Sequence, residues 1–224
     1  SFPTRRSSDL IRPEGKWSAF AGVDFNAVSR DGNRNRLVKT NMAGNPLPEP
    51  VTFTEKVWQD SRLSDLGIFM ESRWEFTQRT WLTAGLRMDA VFSDIRDVEA
   101  DFESTYPGLG SRSEVNLGGH LSLKTRLGAY MLWETALGRG VRSANMIERF
   151  INHFTVGQDP FEYVGNPLLN PEVNHQLETG IRGEIPSRNG RGQVRYAGSV
   201  YYSRVRDYIL PVIDPELSRK YMPA

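Results

Sequence analysis

The 224-residue chain has no cysteine and only three histidines. That removes a disulfide framework, a thiolate metal site and a cysteine nucleophile from consideration. It also lacks a long apolar run. The longest, such as Ala129 to Trp133, reach about five or six residues, so no helix here spans a bilayer. A transmembrane barrel survives that test, because its strands need only about 9–11 residues of alternating polarity. Charge of one sign is lacking too: 28 Lys+Arg stand against 27 Asp+Glu, which leaves no basic field for nucleic acid and no acidic tail. Length alone allows one large or two small domains.

Catalytic patterns are absent as well. His120, His153 and His175 fall in different segments without metal-ligand spacing. There is no GxSxG elbow and no Walker loop, and Gly138 and Gly140 lack the strand-to-helix context of a phosphate cradle. Ser111 and Ser113, near Asp101 and Glu103, have no base beside them. An enzyme is not expected, and neither is a bound cofactor or resident metal.

What is present is period two. Trp17, Ala19, Ala21, Val23, Phe25 and Ala27 alternate with Ser18, Gly22, Asp24 and Asn26. The same contrast returns in six further segments, with Leu82, Leu86, Leu117 and Leu121 opposing Arg87 and His120, and Leu177 and Ile181 opposing Glu178 and Arg182. Such alternation gives strands with one apolar and one polar face. It predicts seven antiparallel strands at about 16–29, 59–76, 80–94, 112–125, 128–140, 172–186 and 192–209. The links alternate in length. Short ones sit at Thr77–Arg79, near Arg126–Gly128 and at Pro186–Gly192, and long ones run over Arg30–Ser61, Ser93–Arg112 and Val141–Val173. Short turns on one side and long loops on the other are the layout of an up-and-down outer-membrane barrel. Trp17, Trp74, Phe76, Trp81 and Tyr130 cluster at the short-turn side, where an interfacial aromatic girdle belongs.

Three stretches carry a family resemblance. GRGVRSANMIERF (138–150), GNPLLNPE (165–172) and QLETG (176–180) together resemble TonB-dependent outer-membrane receptors, with Ala144 standing where that family usually has proline. LGIFMESRWEFTQRTWLTAGLRMD (66–89) is similar to the family's hairpin ending in GLRxD, and VYYSRVRDYI (200–209) to its aromatic strand running into an outer loop. The resemblance implies an all-β chain: a transmembrane β-barrel segment of about seven strands from a barrel of about 22, forming an open curved sheet. It places residues 11–224 in a partial barrel domain without the plug and closing strands. Disordered long loops and an apolar convex face are expected.

Residues 1–10, SFPTRRSSDL, resemble something different: one reading frame of a common sequencing adapter translates to this decapeptide. On that reading they are an assembly artefact, and without them 26 basic and 26 acidic residues remain.

The resemblance implies an active importer of a scarce ligand such as a ferric siderophore or another metal complex, set among outer-membrane lipid in a Gram-negative bacterium. The TonB–ExbB–ExbD complex would energise it through the missing plug. Copper, haem, cobalamin and carbohydrate remain open as ligands, though copper(I) favours sulfur donors and Met42 and Met146 are isolated. Candidate ligand contacts in the loops are Arg142, Glu148, Arg149, Asp159, Asn166 and Glu172, with Arg87, His120, Glu178 and Arg182 facing the lumen. Glu172 and Glu178 are expected to partner Arg142 and Arg149. The competing readings are a passive porin and a soluble β-rich binding module.

Overall fold

A computed structural model describes residues 8–11, 16–41, 43–155, 162–187 and 192–213. In chain order the elements are β1 (Ser8–Ile11), β2 (Trp17–Thr40), β3 (Pro46–Thr77), β4 (Thr80–Asp97), α1 (Ala100–Thr105), β5 (Arg112–Arg126), β6 (Met131–Arg142), α2 (Met146–Phe150), β7 (Phe154–Thr155), β8 (Glu162–Tyr163), β9 (Glu172–Pro186) and β10 (Gln193–Arg206). One sheet holds β1-β2-β3-β4-β5-β6-β9-β10 in that order, every neighbour antiparallel, and curls into a half-barrel. The short β7 and β8 pair separately. The seven long strands are those the alternation predicts. Among the described residues no helix is long and apolar enough to cross a membrane, which says nothing of strands.

The register fixes the two faces. Leu82, Leu86, Leu117 and Leu121 share one face, and Leu86 is 68% exposed and Val115 66%. Arg87, His120, Glu178 and Arg182 take the other. The loops fold over this second face, since Val28 and Leu63, on its upper rim, pack beneath them. It is therefore the inner face. Its side chains lie flat over glycines of neighbouring strands: Phe69 covers Gly22, the Arg87 guanidinium covers Gly67, and His120 covers Gly85. A β-carbon at any of the three would collide with the side chain above it, so glycine here makes room on a crowded concave surface.

Turns close the short side. Thr77 Oγ1 accepts from the backbone N–H of Arg79 and Thr80, at 3.1 and 3.0 Å. Gly128, at φ +94°, supplies the left-handed residue between β5 and β6. Trp17 and Trp74 pair across β2 and β3 on the outer face as a girdle requires. Trp81 does not. It turns inward, beneath the guanidinium groups of Arg73 and Arg126 at 5.2 and 5.8 Å from its ring.

The segment expected as a long loop between Arg30 and Ser61 is instead a continuation of β2 and β3. They pair as far as Thr40 opposite Pro46, through register shifts near Gly32 and Val38. Asn41 closes the tip by accepting from the N–H of Ala43 and Asn45. The other two long connections are ordered wherever they are described, against the expectation of disorder. Phe102 of α1 and Met146 and Phe150 of α2 bury themselves against Ile95, with Val28, Trp58 and Leu63 beneath. Among the described residues the wall has no comparable interior, and the apolar core they form lies in the loop cap.

Candidate functional site in the loop cap

The cap begins at α2. Asn145 caps it, accepting from the N–H of Ile147 and Glu148, while Glu148 Oε2 accepts in return from the Asn145 N–H at 2.7 Å. This reciprocal box holds a five-residue helix that has little intrinsic stability. The GNPLLNPE segment then docks on it. Gly165 donates to the Ile151 carbonyl at 2.7 Å and Asn166 to the Glu148 carbonyl at 2.7 Å. A β-carbon on Gly165 would stand 2.5 Å from the Arg149 carbonyl carbon, so only glycine permits this approach. Asn166 turns its own side chain back to accept from the Leu168 N–H.

Arg142, Glu148 and Glu172 form an exposed clasp. Arg142 Nη1 donates to both Glu148 oxygens at 2.9 Å, and Nη2 reaches Glu172 Oε2 at 3.4 Å. The expected pairing of Arg142 with Glu172 is present. Arg149, expected as a ligand contact and as a partner of Glu172 or Glu178, is neither. It is 1% exposed and donates to the Ala144 carbonyl at 3.0 Å, the Pro167 carbonyl at 3.2 Å and Glu114 at 3.0 Å. That geometry fastens α2 and GNPLLNPE to β5 and keeps the guanidinium buried, away from the surface a ligand reaches. Glu178 instead lies on the inner wall opposite Ala136 and Tyr201. Asp159 and Met42 lie outside the described residues.

A second charged group, unread in the sequence, ties the β2–β3 extension to the cap. Arg34 donates to Glu55 Oε2 and to the His153 carbonyl, and Arg36 bonds Glu162. His153 holds φ +45° and sits 3.9 Å from both Asp101 and Glu162. At the N-terminus of α1, burial together with the charge of Asp101 holds the Glu99 carboxyl above its ordinary pKa.

On the inner wall Arg87 forks onto Asp24 at 2.7 and 2.9 Å and onto Asp89 at 2.9 Å. Asp24, Asp65 and Asp89 bring oxygens within 4.8 Å of one another. With the Arg87 guanidinium on Asp24 and Asp89 and the Asn26 amide on Asp65, this is a compensated charge cluster, and it reads as structure and not as a metal centre. His120 faces Glu71 at 3.3 Å, and Arg182 and Lys124 share Glu134. Phe69, Glu71, Arg87 and His120 line an open concavity of about 620 Å³ below the cap. No nucleophile with an attendant base is found among these groups. What the arrangement offers is a polar wall beneath a folded cap, with charged and amide groups at the rim.

The family profile described as TonB dependent receptor-like, beta-barrel matches residues 3–219. Two solved structures are similar in fold. One, described as "Copper transporter OprC", aligns with a TM-score of 0.62 and 17% identity over 91% of this chain and 29% of its own. The other is a double mutant of the Serratia marcescens hemophore receptor HasR, in complex with its hemophore HasA and heme. It aligns with a TM-score of 0.53 and 13% identity over 86% of this chain and 34% of its own. The chain thus spans about a third or less of either relative. No curated protein sequence matches significantly.

Proposed function

This chain belongs to the TonB-dependent receptor β-barrel family, and on that premise we propose that the whole protein is a gated importer in the outer membrane of a Gram-negative bacterium. The ligand class we propose is a metal complex, such as a ferric siderophore, a copper complex or haem. The supporting observation is the cap: α1, α2 and GNPLLNPE fold over the inner face around their own buried core and present Arg142, Glu148, Asn166 and Glu172 at its rim. A passive channel has no use for so extensive a cover, whereas a receptor must hold a scarce ligand until energy arrives from outside this segment. TonB–ExbB–ExbD, acting through a plug, is the proposed source.

The test is uptake in a strain lacking the full-length gene, complemented with wild type, in tonB-positive and tonB-negative backgrounds. Labelled ferric siderophores, haem and copper complexes form the panel. Energy-dependent uptake of one of them is expected. Uptake of small solutes independent of TonB would instead establish a porin.

We also propose that residues 1–10 are no part of the receptor. Ser8–Ile11 pair along β2 at Ala19–Gly22, but β2 there offers an open edge that accepts any extended segment. Resequencing the locus from genomic DNA tests this, and a contiguous coding sequence through codon 10 would refute it.

A further inference from the structure

The charges of the cap do not balance at Asp101. Arg34 and Arg36 of β2 answer Glu55 of β3 and Glu162 of β8, at 2.5 to 3.6 Å. Lys56 is taken by Asp97 and Asp31. Asp101 of α1 has no such cation, and among the described residues the only base that pairs with it is His153, whose Nε2 lies 3.9 Å from Oδ2. That oxygen is buried and accepts no hydrogen bond, while Oδ1 accepts from the Phe102 N–H and the Asn152 amide. Glu99, just before the helix, adds a second acidic group to the same corner. A buried carboxylate oxygen without a donor calls for an explanation.

His153 is placed to supply that donor. Its other ring nitrogen, Nδ1, lies 3.9 Å from Glu162 Oε2, so the imidazole stands between a carboxylate of the β4–β5 connection and one of the β6–β9 connection. The backbone that sets it there is at φ +45°, a sparsely populated conformation for a residue with a β-carbon, and Arg34 holds its carbonyl at 2.8 Å. Such strain gathers at clamps and switch regions. A neutral imidazole has one N–H, serves one carboxylate and turns a bare lone pair toward the other, whereas an imidazolium has two N–H groups and serves both. A metal ion does not fit this arrangement, because the two carboxylates lie against opposite nitrogens and do not gather with one of them around a single point. A proton does. With 18% of its side chain exposed, the ring is within reach of the medium.

We propose that His153 is a proton-operated fastener of the cap: protonated, it donates to Asp101 and Glu162 together and ties the two long connections to each other, and neutral, it serves only one of them. Both separations exceed a hydrogen bond by about 1 Å, so the charged ring draws the two carboxylates inward. The groups around it favour the charge, since Asp101, Glu162, Glu55 and Glu99 outnumber the guanidinium groups of Arg34 and Arg36. Histidine is the side chain whose charge ordinarily changes between pH 5 and 8. Contacts that only the charged ring makes therefore strengthen the folded cap as pH falls and are lost as pH rises. As a control on ligand retention the inference rests on the importer reading above; as a property of the cap it does not.

The test is hydrogen exchange of the full-length receptor in nanodiscs between pH 5 and 8, without ligand and corrected for intrinsic exchange. The reporters are the amides of Asn152, bonded to Val57, and Gly165, bonded to Ile151. Their protection should be about tenfold greater at pH 5 than at pH 8, the effect of one hydrogen bond to a charged group. Because one proton is involved, the change should nowhere exceed about tenfold per pH unit. Asparagine tolerates the left-handed backbone as histidine does, so His153→Asn should fold and lose the step. Asp101→Asn keeps the Oδ1 acceptor and should lose it independently. Glu99→Gln should keep the step above pH 5. A wild type without the step overturns the proposal, as does a step that survives in His153→Asn or in Asp101→Asn, one that disappears in Glu99→Gln, or one shared by the wall amides of β4 and β5. A receptor that shows the step yet imports nothing counts against the importer reading alone.

Discussion

Replacing Arg149 with alanine tests the claim that one buried guanidinium fastens the cap. The change removes three hydrogen bonds, to the Ala144 and Pro167 carbonyls and to Glu114, from a side chain 1% exposed. It leaves Glu114, itself only 12% exposed, as an unpaired carboxylate. Breaking a buried pair from one side costs about 3–5 kcal/mol. Applied to local opening, that is an acceleration of roughly two to four decades in exchange of the amides that depend on docking. Those amides are Gly165, bonded to Ile151, and Asn166, bonded to Glu148. Hydrogen exchange on the full-length receptor in nanodiscs reads them directly. Amides of β4 and β5 in the wall should not move. Arg142→Gln is the contrast: it breaks an exposed clasp with Arg142 44% accessible, worth about 0–1 kcal/mol, so the same amides should quicken no more than about fivefold. Arg149→Ala and Arg142→Gln acting alike, or Arg149→Ala loosening the whole wall, would refute the assignment.

Leu86→Arg should impair barrel assembly, read as heat-modifiable gel mobility, because an outward arginine in the apolar band costs about 2–4 kcal/mol. Arg87→Leu should assemble better than Leu86→Arg, yet remove the cation that Asp24 and Asp89 share; adding Asp24→Asn should then restore mobility toward wild type. Gly165→Ala should displace α2, since the clashing atoms are Arg149 and Phe150 backbone and cannot swing away; cost of about 1–3 kcal/mol and faster exchange at Asn166 are expected. Glu99, held above its ordinary pKa in the folded cap, binds its proton more tightly folded than unfolded. Its contribution to cap stability is therefore greatest below the unfolded value and is lost as pH rises through the folded one. Glu99→Gln should flatten that acid-side slope in cap exchange, and an unchanged slope would discount the residue.

The wall was legible because its two faces meet different solvents. Leu82, Leu86, Leu117 and Leu121 alternate with Arg87 and His120 without exception, and a one-residue slip would reverse every one of them. The β2–β3 extension escaped the same reading because beyond Arg30 neither of its faces is apolar. Arg34, Arg36, Glu55 and Gln59 line the buried side through ion pairs and hydrogen bonds, so the period is kept while the hydrophobic contrast disappears. Trp81 was misplaced by its position near a turn, where an inward aromatic under Arg73 looks in sequence like one of a girdle. Arg149 was misjudged for a related reason. An ER pair in a loop reads as surface charge, and its partner Glu114 is 35 residues away on another strand. His153 and Asp101 stand in different long connections, and only the packing of the cap makes them neighbours.

Placement of the apolar core decides which part of the molecule a ligand is able to rearrange. Val57, Ile95, Phe102, Met146, Phe150 and Ile151 are buried, and all belong to the cap or to the strand ends beneath it. The wall turns most of its leucines and valines outward, so its cohesion comes largely from ladder hydrogen bonds and from the medium around it. Changing the wall would break many backbone bonds at once in a setting where no water replaces them. Changing the cap requires only that a few side chains leave a small core and that short helices of six and five residues, weak on their own, let go. Any free energy of ligand binding at Arg142, Glu148 and Glu172 is therefore felt first by α2, through the box that shares Glu148 with the clasp. A ligand that draws Glu148 away from the Asn145 N–H loosens the helix that carries Arg149, and with it the hold of GNPLLNPE on β5.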